Sequence, residues 1–298
     1  MRNLGPVLAV TAALIAIWYI AVIPMNQQWA QDQARRAGQD LGFAALVADT
    51  MSQQRPRLPA PHQVAAELWN STVVEELTGR RGIVNTGSLS NRSLIYHGWV
   101  TLSATLLGFA IGSVLGISLA IGIVHNRAMD ASIMPWAIAS QTIPILAIAP
   151  MIIVVLNAVG ITGLIPKAII STYLSFFPVV VGMVKGLRAP DHMQLDLMKT
   201  YYASGPQVLM KLRLPSSMPY LFASLKVAIA AALVGAIVAE LPTGAVAGLG
   251  ARLLSGSYYG QTVQIWSALF AAAILAASMV ALISILQRVT LKRMGMAT

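Results

Sequence analysis

Long apolar stretches alternate with short polar ones along most of this 298-residue chain. A hydrocarbon core of about 30 Å is crossed by about 20 apolar residues in a helix, so stretches of that length predict membrane spans. The pattern therefore predicts an all-α membrane protein with about six transmembrane helices. The stretches are Pro6–Pro24, Trp99–Val124, Ile133–Leu156, Leu164–Val184, Leu221–Leu241 and Val263–Leu286.

Three segments follow from this pattern: a first transmembrane helix at 1–24, a polar segment at 25–96 and a core of five spans at 97–298. No small-residue cleavage pattern follows the first stretch, which favours an uncleaved span over a signal peptide. In the second segment, Gln31–Met51 and His62–Glu76 have helical spacing, and prolines at 56, 59 and 61 separate them. We predict an extracytoplasmic helical insert, lying as a cap or along the membrane interface.

Glycine recurs every four residues in the second stretch, at Gly108, Gly112 and Gly116. This spacing gives a smooth helix face and predicts close packing against a neighbouring helix. The alternative is that glycine is simply frequent in membrane helices.

Composition and charge agree with a membrane protein and set its orientation. Apolar residues make up 57% of the chain, charged residues 10%, and the net charge is +10. In a soluble protein that charge would suggest a nucleic-acid partner, but in a membrane protein an excess of Lys and Arg is typical of cytoplasmic loops. Arg127, the loop at 185–219 and the C-terminal tail then share the cytoplasmic side, with both termini cytoplasmic. The 25–96 segment has seven Arg and six acidic residues, a balance that a long external loop tolerates.

The loop at 185–219 contains structured helical signals. Pro190 ends the preceding helix and Asp191 is a candidate N-cap for the next. Apolar positions in this helix share one face: Met193, Leu197, Met198, Tyr201 and Tyr202. Ser204-Gly205-Pro206 then ends this first helix. Ser204 caps a second short helix, which we expect to end at Leu214-Pro215. The fifth span is expected to begin at Pro219.

This loop resembles the EAA loop of permease subunits of ATP-binding cassette importers. Ala203-Ser204 matches the end of the family's G-A-S, and Leu214–Pro219 matches L-P-x-x-x-P in register. Asp196-Leu197-Met198 replaces E-A-A, and Tyr202 stands at the pattern's glycine. Other segments, such as Gln141–Pro144 and Val238-Ala239-Glu240, are similar to the group that handles nitrate, sulfonates and taurine.

The resemblance implies a permease subunit in a bacterial inner membrane that is not itself an enzyme. It implies partners: a cytosolic ATPase dimer that holds ATP and Mg, a second permease copy or paralogue, and a periplasmic or lipid-tethered substrate-binding protein. The chain has no G-x-x-x-x-G-K-[ST] phosphate loop and no cysteine, and it needs no cofactor of its own. The expected ATPase-coupling residues are Asp196, Lys199, Thr200, Tyr201, Tyr202, Ala203, Ser204, Gly205, Pro206, Pro215 and Pro219.

Polar residues inside the spans are candidates for a translocation pathway, with interhelical hydrogen bonding as the alternative. They are Gln141, Thr142, Asn157, Tyr173, Ser175 and Glu240. Glu240 is interpreted either as a gate residue or as an interfacial acid paired near Arg252. Lys167 and Lys226 are expected to extend to the two membrane surfaces. The four histidines show no metal-binding spacing, and no catalytic motif is present.

A stand-alone secondary transporter or channel is the alternative function. Such proteins usually show an internal repeat or several intramembrane charges, and neither is evident here. The sequence leaves the solute open between a sulfonate-like or nitrate-like anion and a flat nitrogen heterocycle of pyrimidine type. It also leaves open a homodimer or a heterodimer.

Overall fold

The computed structural model describes residues 4–38, 42–242 and 245–296, and the regular elements within them are helices. They are α1 Leu4–Arg36, α2 Phe43–Ser52, α3 Pro61–Trp69, α4 Glu75–Thr78, α5 Ile83–Thr86, α6 Leu94–His125, α7 Arg127–Ser140, α8 Ile145–Ala158, α9 Leu164–Leu187, α10 His192–Thr200, α11 Gly205–Val208, α12 Leu214–Glu240, α13 Leu249–Tyr258 and α14 Thr262–Arg293. Two π-helical segments, Asn70–Val74 and Leu209–Arg213, join α3 to α4 and α11 to α12.

Within the described ranges, five helices are long and apolar enough to cross a membrane. They are α1, α6, α9, the α11–α12 run and α14. The bent pair of α7 and α8 brings the total to six if the pair counts as one span. The all-α membrane fold is confirmed.

The predicted span at Ile133–Leu156 is a bent pair of helices, α7 and α8. The chain bends by 96° between α7 and α8. Pro144 is the N-cap of α8 and has an extended backbone (ψ 116°). The helix α7 cannot continue through it, because proline has no N–H to donate and disfavours helical geometry in the residue before it. Apolar composition indicates how long a span is, but it does not show whether the helix that forms the span bends.

The chain forms two compact units, residues 1–97 with 251–272, and residues 98–250 with 273–298. In the first unit the insert folds against α1. The buried Asn26 donates from Nδ2 to the carbonyls of Thr50 (3.2 Å) and Leu58 (2.9 Å), and its Oδ1 accepts from the Leu58 N–H. The Asn26 side chain therefore holds main-chain groups of the insert to α1. Its predicted second helix is confirmed by α3 and its π-helical extension, while part of the predicted Gln31–Met51 helix lies outside the described residues.

In the second unit the predicted glycine stripe is confirmed. A Cβ on Gly108 would lie 2.3 Å from Ser171 Cβ, one on Gly112 2.2 Å from Ser175 Oγ, and one on Gly116 2.8 Å from Val179 Cβ. Only glycine therefore allows α6 and α9 to approach this closely. α9 also packs against α12, and the buried aliphatic cluster among these helices includes Val179, Val180, Met183, Leu187 and Ala228.

Candidate functional site

The polar loop between α9 and α12 forms a helical hairpin, which we call the coupling hairpin (residues 191–213). Asp191 caps α10: its Oδ1 accepts from the Gln194 N–H (2.8 Å), and Gln194 Oε1 accepts from the Asp191 N–H (3.3 Å). This reciprocal pair satisfies two backbone donors at the helix start. The predicted N-cap is confirmed.

The end of α10 is closed by a Schellman motif around Tyr202. The Ala203 N–H donates to the Met198 carbonyl (3.0 Å) and the Tyr202 N–H to the Lys199 carbonyl (2.8 Å). This motif needs a left-handed residue at its centre, usually glycine, and Tyr202 has φ 51°. Tyr202 is also the position at which the EAA pattern has glycine, so the tyrosine keeps the backbone shape that glycine would supply.

The apolar face of α10 is uncovered in this chain. Tyr202 is 96% exposed, Met193 81% and Tyr201 75%. Burying a large apolar side chain of this kind is worth about 1.5–3 kcal/mol, so such a face on a surface hairpin indicates a contact with another molecule. The chain provides no cover for it within the described residues.

Charged groups on α10 lie beside this face. Lys199 Nζ contacts Asp196 Oδ1 at 2.9 Å, and both side chains are exposed. The hydrogen bond and the positive charge of Lys199 lower the pKa of Asp196. Thr200 donates to the Asp196 carbonyl (3.0 Å), so its hydroxyl is occupied by the helix itself.

The second helix of the hairpin begins at the predicted residue but continues past its predicted end. The Ser204 N–H donates to Gln207 Oε1 (2.8 Å) at the start of α11, with Gly205 and Pro206 in its first turn. The prediction that Leu214-Pro215 ends this helix was wrong. The π-helical turn Leu209–Arg213 carries the helix past Pro215 into α12, with Pro219 inside it. A wider turn accommodates proline within a continuous helix, so the hairpin connects to the membrane helix without a break.

Three of the six predicted pathway residues lie at the α7–α8 break. Gln141 and Thr142 are exposed there, and the Tyr173 hydroxyl of α9 donates to the Ser140 carbonyl at the end of α7. Asn157 is exposed in the last turn of α8. Ser175 is buried, and its Oγ donates to the Gly108 carbonyl (3.3 Å), so it belongs to the α6–α9 contact.

Glu240, the sixth, is fully buried at the end of α12. Its carboxylate accepts from Lys167 Nζ (3.2 Å), from Thr101 Oγ1 (2.9 Å) and from the Gly250 N–H (3.0 Å). The prediction that Lys167 extends outward was wrong, because Lys167, with a side chain 12% exposed, is the partner of the carboxylate. Of the two interpretations of Glu240, the one that paired it near Arg252 is replaced by this pairing with Lys167.

The same charged pair holds the loop that follows α12. Lys167 also donates to the Ala247 carbonyl (2.9 Å), and Thr101 Oγ1 accepts from the Leu249 N–H (2.9 Å). At Gly248 (φ 128°) a Cβ would lie 2.1 Å from the Glu240 carboxyl carbon. We call this arrangement of Glu240, Lys167, Thr101 and residues 247–250 the carboxylate clasp.

Sequence reasoning missed the roles of Lys167, Thr101 and Gly248 in the clasp. One signal was available: a carboxylate buried at the end of a span needs a cation at the same end of the bundle. Lys167, in the first turn of α9, lies where such a cation is needed.

The comparison with known families bears on this architecture. Residues 112–296 match the model of the binding-protein-dependent transport system inner membrane component family. The chain belongs to this family. The match includes the coupling hairpin and Glu240, whereas the insert at 25–96 lies outside it.

Individual proteins of the same kind are similar over more than half of the chain. A probable ABC transporter permease protein of Haemophilus influenzae is 32% identical over 58% of this chain and 69% of its own length. The formylaminopyrimidine transport permease protein ThiX of Halalkalibacterium halodurans is 31% identical over 56% of this chain and 65% of its own. The riboflavin transport system permease protein RibX of Chloroflexus aurantiacus is 29% identical, over 79% and 80% respectively.

Proposed function

We propose that this chain is the permease subunit of an ATP-driven importer, and that its coupling hairpin receives the motion of a separate ATPase. The observation that carries the proposal is the uncovered apolar face of α10, with Tyr202 96% exposed at the tip. Tyrosines with a rigid ring and a polar end are common at the centre of protein interfaces. A stand-alone transporter has no need for such a face.

The hairpin is built to transmit force. The continuous run from Gly205 to Glu240 joins the second helix of the hairpin to a spanning helix, so a displacement of that helix is passed directly to α12. ATP and Mg belong to the partner, because the chain lacks a phosphate loop. The partner is a cytosolic ATPase dimer.

The orientation follows from the same assignment. With the hairpin in the cytosol, both termini are cytoplasmic and the insert at 25–96 is extracytoplasmic, in a bacterial inner membrane. A second permease copy or paralogue completes the pathway, and a substrate-binding protein delivers the solute on the outer side. The α7–α8 break, with Gln141, Thr142 and Tyr173, is the polar region of this chain best suited to line the pathway.

We propose a flat nitrogen heterocycle as the solute. The formylaminopyrimidine and riboflavin permeases are 31% and 29% identical to this chain, whereas the bicarbonate and sulfonate permeases are 24% and 23% identical. Glu240 and Lys167 neutralise one another inside the clasp and offer no charge to an anion. Competition of labelled uptake by unlabelled pyrimidines and sulfonates tests this choice. Competition by the sulfonates alone would contradict it.

The coupling assignment is tested by placing a charge on the hairpin in the reconstituted transporter. Tyr202→Asp and Ala203→Asp put a carboxylate into the contact, where its desolvation weakens docking at least about tenfold. We expect transport to fall by that factor while the permease still inserts and folds. Tyr258→Asp, at an exposed tyrosine (73%) outside the hairpin, is the matched control and keeps transport. Normal pumping by both hairpin variants would show that the hairpin is not the coupling element.

A further inference from the structure

The hydrogen bonds of the insert place it beside the ends of two apolar stretches. The Asn26 side chain bonds to Leu58 by both its oxygen and its nitrogen, two residues after the apolar stretch of α1 ends at Pro24. The Pro56 carbonyl accepts from the Thr262 hydroxyl, one residue before the apolar stretch of α14 begins at Val263. Two different spans thus place residues 56–58 at the edge of the hydrocarbon core.

A third contact continues the same path into the apolar layer. Trp18 Nε1 donates to the Pro59 carbonyl (3.0 Å), and Trp18 stacks on Phe270 with ring centroids 5.8 Å apart. Trp18 lies eight residues before Asn26, which is about 12 Å along a helix. The stretch from Pro56 to Pro59 therefore runs down α1 from the boundary toward the membrane, and not away from it.

Two arginines flank this boundary and are exposed. Arg55 and Arg57 stand on either side of the buried Pro56. Arg57 Nη1 donates to Gln28 Oε1 (2.9 Å), which fixes its guanidinium near the end of the apolar stretch of α1. Trp29, 50% exposed on the same helix, has the position and character of an interfacial aromatic residue.

Three acidic groups of the insert are occupied by the insert itself. Glu76 is buried, and its carboxylate accepts from the Ile83 and Ser90 N–H groups. Glu75 accepts from the Ser90 hydroxyl (2.8 Å), and Asp49 from the Gln53 side chain (2.9 Å). The net charge of the insert is small when it is counted from the sequence. On its surface, however, the arginines are exposed, while these carboxylates are hydrogen-bonded within the insert.

We propose that Arg55 and Arg57 form a binding site for the phosphate of an anionic phospholipid. A guanidinium presents paired N–H donors that match a phosphate, and at this depth the headgroup phosphates of the bilayer are the anions within reach. The site anchors the insert to the membrane surface. Only the leaflet, which is the outer one, depends on the orientation proposed above; the lipid site itself does not.

The test uses the purified full-length permease in nanodiscs of phosphatidylcholine with phosphatidylglycerol. Retention of phosphatidylglycerol during exchange into pure phosphatidylcholine is measured by native mass spectrometry. Each cationic side chain near an anionic surface contributes about fivefold, so Arg55→Gln with Arg57→Gln is expected to weaken retention about 25-fold. Arg55→Gln alone keeps the Arg57–Gln28 bond and is expected to lose about fivefold.

The matched control is Arg80→Gln with Arg81→Gln, which removes the same charge from an exposed pair elsewhere in the insert. These arginines belong to the segment closed by the Glu76–Ser90 bond, which precedes the apolar stretch of α6 at Trp99 by many residues. Their loss is expected to leave retention unchanged. Equal retention by the Arg55/Arg57 variant, or an equal drop in the control, would overturn the proposal. So would loss of binding-protein association with lipid retention intact, because the surface would then be a protein contact.

Discussion

Tyr202 carries the most unusual backbone geometry in the coupling hairpin. An L-residue in the left-handed region costs about 1–2 kcal/mol, and glycine avoids this cost. The Schellman bonds of Ala203 and Tyr202 nonetheless form around it. Tyr202 therefore has a strained backbone and places an aromatic ring at the tip of the hairpin, which agrees with a role in contacting another protein.

We expect Tyr202→Gly to stabilise the end of α10 by about 0.5–1 kcal/mol, the relief of strain less the added chain entropy of glycine. Hydrogen exchange of the backbone amides at positions 202 and 203 of the full chain measures this, and exchange should slow. Tyr201→Gly is the matched control, because Tyr201 has φ −82° and gains nothing. Exchange that quickened in both variants would contradict the strain argument.

The carboxylate clasp is the second residue-scale device. A buried ion pair costs desolvation on both sides, and removing one partner leaves the other charge uncompensated at about 3–5 kcal/mol. Glu240 is fully buried and Lys167 is nearly so. The pair is therefore more valuable for fixing the loop at 247–250 than as a source of net stability.

Glu240→Gln and Lys167→Met should each destabilise the permease by about 3–5 kcal/mol. The double variant leaves no unpaired charge, so its loss should be clearly smaller than the sum of the two. Thermal unfolding of the permease in one defined nanodisc composition gives all three values. Losses that simply add would show that the two groups act independently.

At the scale of helices, the α6–α9 contact depends on the absence of side chains. Gly112 faces Ser175 with no room for a methyl group. Gly112→Ala should therefore destabilise the protein by about 1–3 kcal/mol through overpacking. Gly98→Ala, in the same helix with nothing within 4 Å, should be neutral or slightly stabilising. The same unfolding assay distinguishes the two, and a loss at Gly98 as large as that at Gly112 would remove the packing explanation.

The sequence predicted those elements that depend on local chemistry. The Asp191 cap, the Gly108–Gly116 stripe and the helical hairpin follow from residue types at fixed spacing, and the structure has them. The prediction from the sequence failed where the direction of a helix or a partner distant in the chain decides the structure. Hydropathy does not sense the bend at Pro144, and the π-helical turn before Pro215 depends on its fit in a continuous helix. Lys167 was misplaced because its partner, Glu240, is 73 residues away.

At the scale of the whole molecule, the chain combines a core that the family model matches with an insert at 25–96 that lies outside this match. The family match covers 112–296 and contains the hairpin and all of the clasp except Thr101. The insert is bonded to α1 and α14 at the edge of their apolar stretches. We infer that the core performs transport with its partners, and that the insert fixes the permease in the lipid surface.

The proposed function depends on a contact between the tip of the coupling hairpin and a separate ATPase. The chain has no cysteine, so a single Tyr202→Cys provides one unique attachment point for a crosslinker in the assembled transporter. We predict that this variant crosslinks to the ATPase subunit, and that Tyr258→Cys, at a tyrosine 73% exposed outside the hairpin, does not. Failure of Tyr202→Cys to crosslink in an intact complex, or labelling of its cysteine by an impermeant reagent from the outer side, would contradict the account.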